Sequence, residues 1–303
     1  MTYRGLGRSG IEVSTIGLGC MSLGSDRSRG ERILRRSLDL GVTLFDTADL
    51  YDRGANEELV GRTLRGVRSK VVIATKVGNR WRADGSGWDW DPSAEYILKE
   101  VHASLRRLRT DYIDLYQLHG GTIDDPIEDT VRAFERLQDD GTIRAWGISS
   151  IRPNVVRRYA AMAASEAARI SSEMVQYSVL DRRPEEEILE TARGAGFGVL
   201  VRGAVASGLL AGKPPAAYLG LMASEVRMAQ DALRAIGGSD QDRARVAFGF
   251  VLSHPAVAAV VAGASSVAQA ESNAAAADSP PLAEADQRAL RDAVRQLRYA
   301  EHR

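Results

Sequence analysis

The chain has 303 residues and a mass of 32.8 kDa, enough for one large α/β barrel or two small domains. Lys plus Arg and Asp plus Glu each number 40, so the formal net charge is zero and no global field favours nucleic acid or an anionic membrane. With one cysteine, Cys20, no internal disulfide can form; no run reaches the ~18 apolar residues of a membrane span, and residues 1–7 hold no signal-like apolar run, so a cytoplasmic location is expected.

Residues 2–13 predict a small hairpin, with Ile11 and Val13 alternating with Glu12 after a turn through residues 7–10. A glycine-rich first strand and loop follow. Gly17 and Gly19 do not continue into a dinucleotide fingerprint, because residue 22 is Ser22; the glycines instead let the backbone approach a ligand. A helix over 30–40 stops at Gly41, and a strand over 42–46 leads to a helix near 56–65, for which Asn56 is an expected N-cap. The strand 71–76 runs into residues 78–92, expected to form a long loop. That loop carries Trp81, Trp88 and Trp90, read either as a pocket wall or as packing of the loop on the barrel.

A helix over 93–108, a strand over 113–118, a helix over 126–139 and a strand over 143–148 come next. A helix over 153–163, a strand over 171–176, a helix from Pro184 to Arg193 and a strand over 197–201 follow. The stretch 203–240 is the least regular, with helix expected over 221–236. Helix 241–253, strand 257–261, helix 267–277 and a charged last helix over 284–300 complete the chain, and Ala-rich helix surfaces fall at 160–168 and 274–277.

Eight strand–helix alternations without a composition break imply parallel strands with helical crossovers, and they match the size of a (β/α)₈ TIM barrel in one domain over 1–303. An open doubly wound sheet is the alternative, but it would place its nucleotide at the first glycine loop, which lacks the fingerprint.

In a parallel barrel, chemistry gathers where strands end. Asp46 and Tyr51 follow the second barrel strand, Lys76 ends the third and His119 follows the fourth. A phenol is a poor acid at neutral pH, and a nearby ammonium favours its phenolate; Lys76 is expected to lower the Tyr51 pKa, Asp46 to hold Lys76 charged, and His119 to orient a substrate oxygen. Such a set delivers a proton to a carbonyl oxygen. The hydride has to come from a nicotinamide or similar cofactor, since no protein side chain can supply it.

These residues bring a known family into view. The stretches 17–21, 45–51, 75–76, 111–119, 146–149, 175–178 and 263–266 resemble aldo-keto reductases over essentially the whole length. The resemblance implies a (β/α)₈ barrel closed below by an N-terminal hairpin, and reversible, NADPH-dependent reduction of aldehydes or ketones by the tetrad Asp46, Tyr51, Lys76 and His119, with Tyr51 as general acid. It also implies cofactor contacts from Gly19, Cys20, Met21 and Asp46, and carboxamide contacts from Ser149, Ser150 (where relatives carry asparagine) and Gln176. Arg202 stands where many relatives stack an aromatic ring on the nicotinamide, and a guanidinium can stack there too. The backbone of Gly203, Ala204, Val205, Ala206, Gly208 and Leu209 would follow the pyrophosphate, with Lys213 near a phosphate. Gly263, Ser265, Gln269 and Asn273 would hold the adenosine end. There Ser272 replaces a common glutamate and a frequent basic residue is missing, yet a helix N-terminus bearing Ser265 and Ser266 can still take a 2′-phosphate, so NADPH is favoured over NADH. No metal is expected.

The substrate pocket is expected from Tyr51, Trp81, Trp88, Trp90 and His119. Three functions compete. The first is a reductase of small, possibly aromatic, carbonyl compounds. The second is a nucleotide-binding regulatory subunit like the potassium-channel β subunits of the same family. The third is a barrel enzyme that transfers protons without a cofactor. The intact tetrad, the neutral charge and the lack of a long N-terminal extension favour the first. Substrate identity and oligomeric state are not legible.

Overall fold

The structure is a computed structural model that describes residues 1–165, 167–239 and 242–303. Residue 166, in the Ala-rich stretch 160–168, and residues 240 and 241, where the irregular stretch meets the expected helix 241–253, lie outside the described residues. The first two strands, β1 (Tyr3–Gly5) and β2 (Glu12–Ser14), form the antiparallel hairpin. Then come β3 (Ile16–Gly19), α1 (Arg27–Asp39), β4 (Leu44–Asp46), α2 (Ala55–Leu64) and β5 (Val72–Val77). A second hairpin of β6 (Asn79–Trp81) and β7 (Trp88–Trp90) precedes α3 (Ala94–Leu108). Next are β8 (Ile113–Leu118), α4 (Ile127–Asp139), β9 (Ile143–Ile148), α5 (Pro153–Ala164), β10 (Ile170–Gln176), α6 (Ile188–Gly194) and β11 (Gly198–Arg202). The chain closes with α7 (Ala223–Gly237), α8 (Arg243–Leu252), β12 (Val257–Gly263), α9 (Val267–Ala275) and α10 (Glu284–Asp292).

Eight parallel strands close a barrel in the order β3, β4, β5, β8, β9, β10, β11, β12, with β12 pairing back to β3. This is the (β/α)₈ TIM barrel expected from the alternation. Side chains alternate across a strand, so one set faces the lumen and the other the helices. Leu44, Val72, Ala74, Leu115, Ala145, Met174, Leu200, Ala259 and Val261 pack together in the lumen, closed from below by Leu6 and Val13 of the N-terminal hairpin. The neighbours Phe45, Ile73, Tyr116, Trp146, Val175 and Val199 belong to the larger core under the helices, where Trp146 stacks on Phe134 at 4.9 Å. Two residues beyond the lumen set, at the C-terminal ends, the same parity reaches Asp46, Lys76, Gln117, Gln176, Arg202 and Gly263. On β8 and β9 it continues to His119 and Ser149. Asp46, Lys76, His119, Ser149, Gln176 and Arg202 thus share one face of the sheet and one end of the barrel.

Three expectations need correction. The stretch 78–92 is not a plain loop: Asn79 pairs with Trp90 and Trp81 with Trp88 across a short antiparallel ladder, and the turn carries the Arg82–Asp89 ion pair. Asn56 does not cap α2. Its amide is drawn inward, accepting from Thr47 Oγ1 at 2.7 Å and donating to the Cys20 carbonyl at 2.9 Å, so it ties the end of β4 to the loop after β3. The last helix ends at Asp292 rather than 300, because Arg182 takes the carbonyls of Arg291 and Val294, and Glu186 accepts from the Tyr299 N–H and from Arg303. Residues 293–303 are thereby held against the segment before α6 in a non-helical path. Among the described residues no helix is long and apolar enough to cross a membrane.

Candidate active site

Lys76 and Asp46 form the centre of the site. The Lys76 ammonium donates to Asp46 Oδ1 at 2.7 Å, to Asp46 Oδ2 at 2.8 Å and to the Thr47 carbonyl at 2.7 Å, so its three protons are all placed. Lys76 is 1% exposed and Asp46 4%. Burial alone would lower the Lys76 pKa; the Asp46 charge, then Tyr51, outweigh it and raise it. Burial pulls the Asp46 carboxyl up while Lys76 pulls it down. With two short charge-assisted bonds between them, we take both as ionised.

Tyr51 lies above this pair, with its ring centroid 5.2 Å from Lys76 Nζ. It is held at the head of an unusual turn: Asp52, Arg53 and Gly54 all have positive φ (49°, 54° and 86°), a run that reverses the chain into α2. The Tyr51 pKa differs from the expectation. Lys76 does pull it down, but burial is the larger effect and the net shift is upward. The phenol therefore keeps its proton at neutral pH, as an acid must before it acts. His119 meets Tyr51 edge-on, at 6.0 Å between centroids and 82° between planes. Its backbone is fixed by a bond from its N–H to the Val77 carbonyl (2.7 Å) and by Asn79 Nδ2 on its own carbonyl (3.0 Å). Burial first, then the charges of Lys76 and Arg202, lower the imidazole pKa to about 3, so the ring is neutral, and its buried Nδ1 has no partner among the described residues.

These groups line a cavity of about 630 Å³ with Met21, Leu50, Asn79, Trp88, Trp90, Gly120, Gly121, Ser149, Ser150, Ile151, Arg152, Met174 and Arg202 among its walls. Trp90 is fitted against backbone: a side chain at Gly78 or Gly120 would meet its ring at 2.6 or 3.1 Å, and its Nε1 donates to Asp125 Oδ1 at 3.0 Å. Trp88 is half-exposed at the mouth. Trp81 is not part of this cavity. Its Nε1 donates to the Leu50 carbonyl at 3.1 Å and Arg53 stacks on its outer face, so it buttresses the Tyr51 turn from behind, beside a separate polar cavity at Asp49, Tyr96 and Glu100. Met174, Ile151, Asn79 and Arg152 are walls that the sequence reading missed. Met174 is legible, being two residues before Gln176 on the same strand face; Asn79 is set by the β6–β7 pairing, and Ile151 and Arg152 by the path of the chain after β9.

The remaining expected residues form a rim on one side of the cavity. Gln176 is at the end of β10, where its Oε1 accepts from Arg202 at 2.8 Å and its Nε2 donates to Asp181 at 2.9 Å and Tyr218 at 3.2 Å. Ser149 and Ser150 are buried after β9, with the Ser150 N–H on Glu173 Oε1 at 3.3 Å. Gly203 to Leu209 turn sharply, with positive φ at Gly203, Ala206, Ser207 and Gly208, and the Lys213 stem covers Gly208 so closely that a Cβ there would meet it at 3.0 Å. Ala204, Ala206 and Leu209 are buried and Val205 half-buried, so this loop would meet a ligand largely through its backbone. Gly19 pairs with Gly263 across β3 and β12. The Cys20 thiol is buried in the core and pushed up by burial, leaving only its backbone for a ligand, whereas Met21 is exposed. At the start of α9, Ser265 N–H and Oγ both bond Gln269 Oε1, Ser266 caps the helix, and Asn273 holds the Gly263 carbonyl. Amides and hydroxyls at one end, a glycine turn with a lysine in the middle and a helix N-terminus at the other are donors of the kinds that could hold a nicotinamide nucleotide.

A closed parallel barrel with an acid, a phenol, an ammonium and an imidazole at its C-terminal rim defines a carbonyl oxidoreductase class. The model of the Aldo/keto reductase family matches residues 15–295, and the chain belongs to that family. Members generally use a nicotinamide cofactor. The chain is 44% identical over 314 aligned positions, covering both sequences fully, to the protein described as "Uncharacterized oxidoreductase YqkF" of Bacillus subtilis. It is 34% identical, over 72% of this chain and 66% of the relative, to the aldo-keto reductase YhdN of the same organism. Among solved structures, the holo form of aldo-keto reductase AKR11C1 from Bacillus halodurans superposes with a TM-score of 0.92 at 46% identity, covering 100% of this chain and 99% of that one. The glycerol dehydrogenase AKR11B4 from Gluconobacter oxydans gives 0.84 at 27% identity, over 96% and 94%.

Proposed function

We propose that this chain, acting as one domain, reduces aldehydes or ketones to alcohols with NADPH, and that Tyr51 is the general acid. One observation carries the proposal: Tyr51 stands between a charged, fully hydrogen-bonded Lys76 and a neutral His119 on the wall of a largely apolar cavity. When bound, the nicotinamide supplies the hydride. Tyr51 donates its proton to the carbonyl oxygen as negative charge grows there. Lys76, held cationic by Asp46, stabilises the tyrosinate left behind, a charge that burial would otherwise oppose. His119 is neutral and supplies one N–H, so it orients the carbonyl oxygen without competing as an acid.

Ser149, Ser150 and Gln176 would hold the carboxamide, with Arg202 against the ring. Gln176 Nε2 already has both protons placed on Asp181 and Tyr218, whereas Oε1 accepts one bond from Arg202 and keeps a second acceptor site for the carboxamide. The backbone of 203–209 with Lys213 would hold the pyrophosphate, and Gly263, Ser265, Gln269 and Asn273 the adenosine end. Ser265 and Ser266 at the start of α9 support a 2′-phosphate and hence NADPH over NADH. The test is carbonyl-dependent NADPH oxidation by the wild type and Tyr51→Phe, with cofactor binding followed separately. We expect the mutant to lose at least about 100-fold in kcat/KM while binding NADPH. Equal turnover in Tyr51→Phe would overturn the acid assignment, and equally tight NADH binding the cofactor preference.

A further inference from the structure

The walls of the active-site cavity carry three cations, Lys76, Arg152 and Arg202, and no aspartate or glutamate. Lys76 is neutralised from behind by Asp46. Arg202 donates to Gln176 on the cofactor rim. Arg152 is different. It is half-buried at the start of α5, and its guanidinium makes one bond, from Nη1 to the Gly121 carbonyl at 2.7 Å. That bond draws it over the loop that follows His119, among the apolar walls rather than along the cofactor rim. No ion-pair partner is within 4.0 Å among the described residues. The nearby Asp125 carboxylate is held by other donors and makes no ion pair with Arg152: Oδ1 accepts from Trp90 and Thr122 Oγ1, and Oδ2 from the Thr122 N–H.

An arginine that faces an apolar cavity with one guanidinium bond and no ion pair within 4.0 Å among the described residues has donors to offer an anion from outside the chain. A carboxylate matches the planar fork of the guanidinium, and the N-terminus of α5 adds favourable potential. Trp88, Trp90, Ile151 and Met174 supply apolar surface in the cavity that also holds this charge and the proton donor. We infer that the preferred substrates are apolar oxo acids: aldehydes or ketones whose hydrophobic body carries a carboxylate at the end away from the carbonyl, with Arg152 as its receptor. This rests on the reductase function proposed above and narrows its substrate class.

The experiment compares 3- and 4-carboxybenzaldehyde with their methyl esters, which keep the size but remove the charge. The ratio of kcat/KM for acid over ester is measured for the wild type, Arg152→Gln and Arg152→Lys. In parallel, the alcohol forms of each pair are titrated against tryptophan fluorescence, which requires no turnover. We expect one isomer at least to favour the acid by roughly ten- to a hundredfold in the wild type, mainly through KM. The ratio should fall to near one in Arg152→Gln and to an intermediate value in Arg152→Lys, with both variants unfolding at temperatures near the wild type. Turnover with acid and ester handled alike, in both isomers, overturns the inference. Arg152-dependent binding of the acids without turnover of any aldehyde supports the anion site and overturns the reductase function instead. Neither binding nor turnover overturns both.

Discussion

Replacing Lys76 by methionine tests the physical core of the site. The substitution keeps most of the stem but removes a cation that holds three hydrogen bonds, two of them to a carboxylate that is 4% exposed. Asp46 is then a buried charge without a partner. Breaking a buried pair in this way costs about 3–5 kcal/mol, against a typical total stability of about 5–15 kcal/mol. The penalty depends on pH in a defined direction. Without Lys76, the folded-state pKa of Asp46 stands above its unfolded value near ~3.9. Below about pH 4 the carboxyl is protonated in both states and the penalty is small. Above that it grows by up to about 1.4 kcal/mol per pH unit until the folded-state pKa is reached. Urea unfolding of the wild type and Lys76→Met at pH 4 and pH 8 measures this directly. The double variant Asp46→Leu with Lys76→Met removes both charges and should recover much of the loss at pH 8, because an apolar pair of similar volume is often as stable as the ion pair. Lys76→Met as stable as wild type at pH 8, or equally destabilised at both pH values, would refute the buried-pair argument.

Other outcomes follow from the same geometry. Folding shifts the His119 pKa down to about 3, so below pH ~6.5 the unfolded chain binds a proton that the folded chain refuses; this stability is lost as pH falls from ~6.5 towards 3, and His119→Asn should flatten that acid limb in a pH series of thermal melts. For the same reason the pH–rate profile should show no inflection near 6.5, and a histidine-like limb there would contradict a neutral His119. Asp49 is buried, neither of its oxygens has a hydrogen-bond partner among the described residues, and burial followed by the charges of Glu57 and Glu100 raises its pKa well above the usual carboxylate range. Its contribution is lost as pH rises above ~3.9, so Asp49→Asn should be more stable than wild type by about 1–3 kcal/mol at pH 8 and equal near pH 3.5; a less stable variant at pH 8 would count against this. Trp90→Ala should raise KM for aromatic carbonyl substrates several-fold, while Trp81→Ala should act mainly on kcat by loosening the Leu50–Tyr51 turn, a split that steady-state kinetics resolves.

Much of this molecule is legible from residue order alone. Eight apolar strands alternating with amphipathic helices leave few topologies, and the period-two pattern of a strand decides which residues face the lumen. Asp46, Lys76 and Gln176 fall together because each continues the lumen-facing parity one step past the last lumen-facing apolar residue of its strand. What depends on distance across the fold was not legible. The three tryptophans of 79–90 look equivalent in sequence, yet the hairpin sends Trp90 against Gly78 and Gly120 and Trp81 behind the Tyr51 turn. By sequence Asn56 reads as a helix cap, but the Cys20 carbonyl and the Thr47 hydroxyl claim its amide. The direction of the Tyr51 shift is likewise a contest between burial and a neighbouring charge, and only the tertiary structure sets how deeply the ring is buried. Local order determines which face and which end a residue occupies, because that is a property of the strand. Partners, burial and the charge left unpaired at Arg152 are decided by segments far apart in the chain, which come together only when the barrel closes.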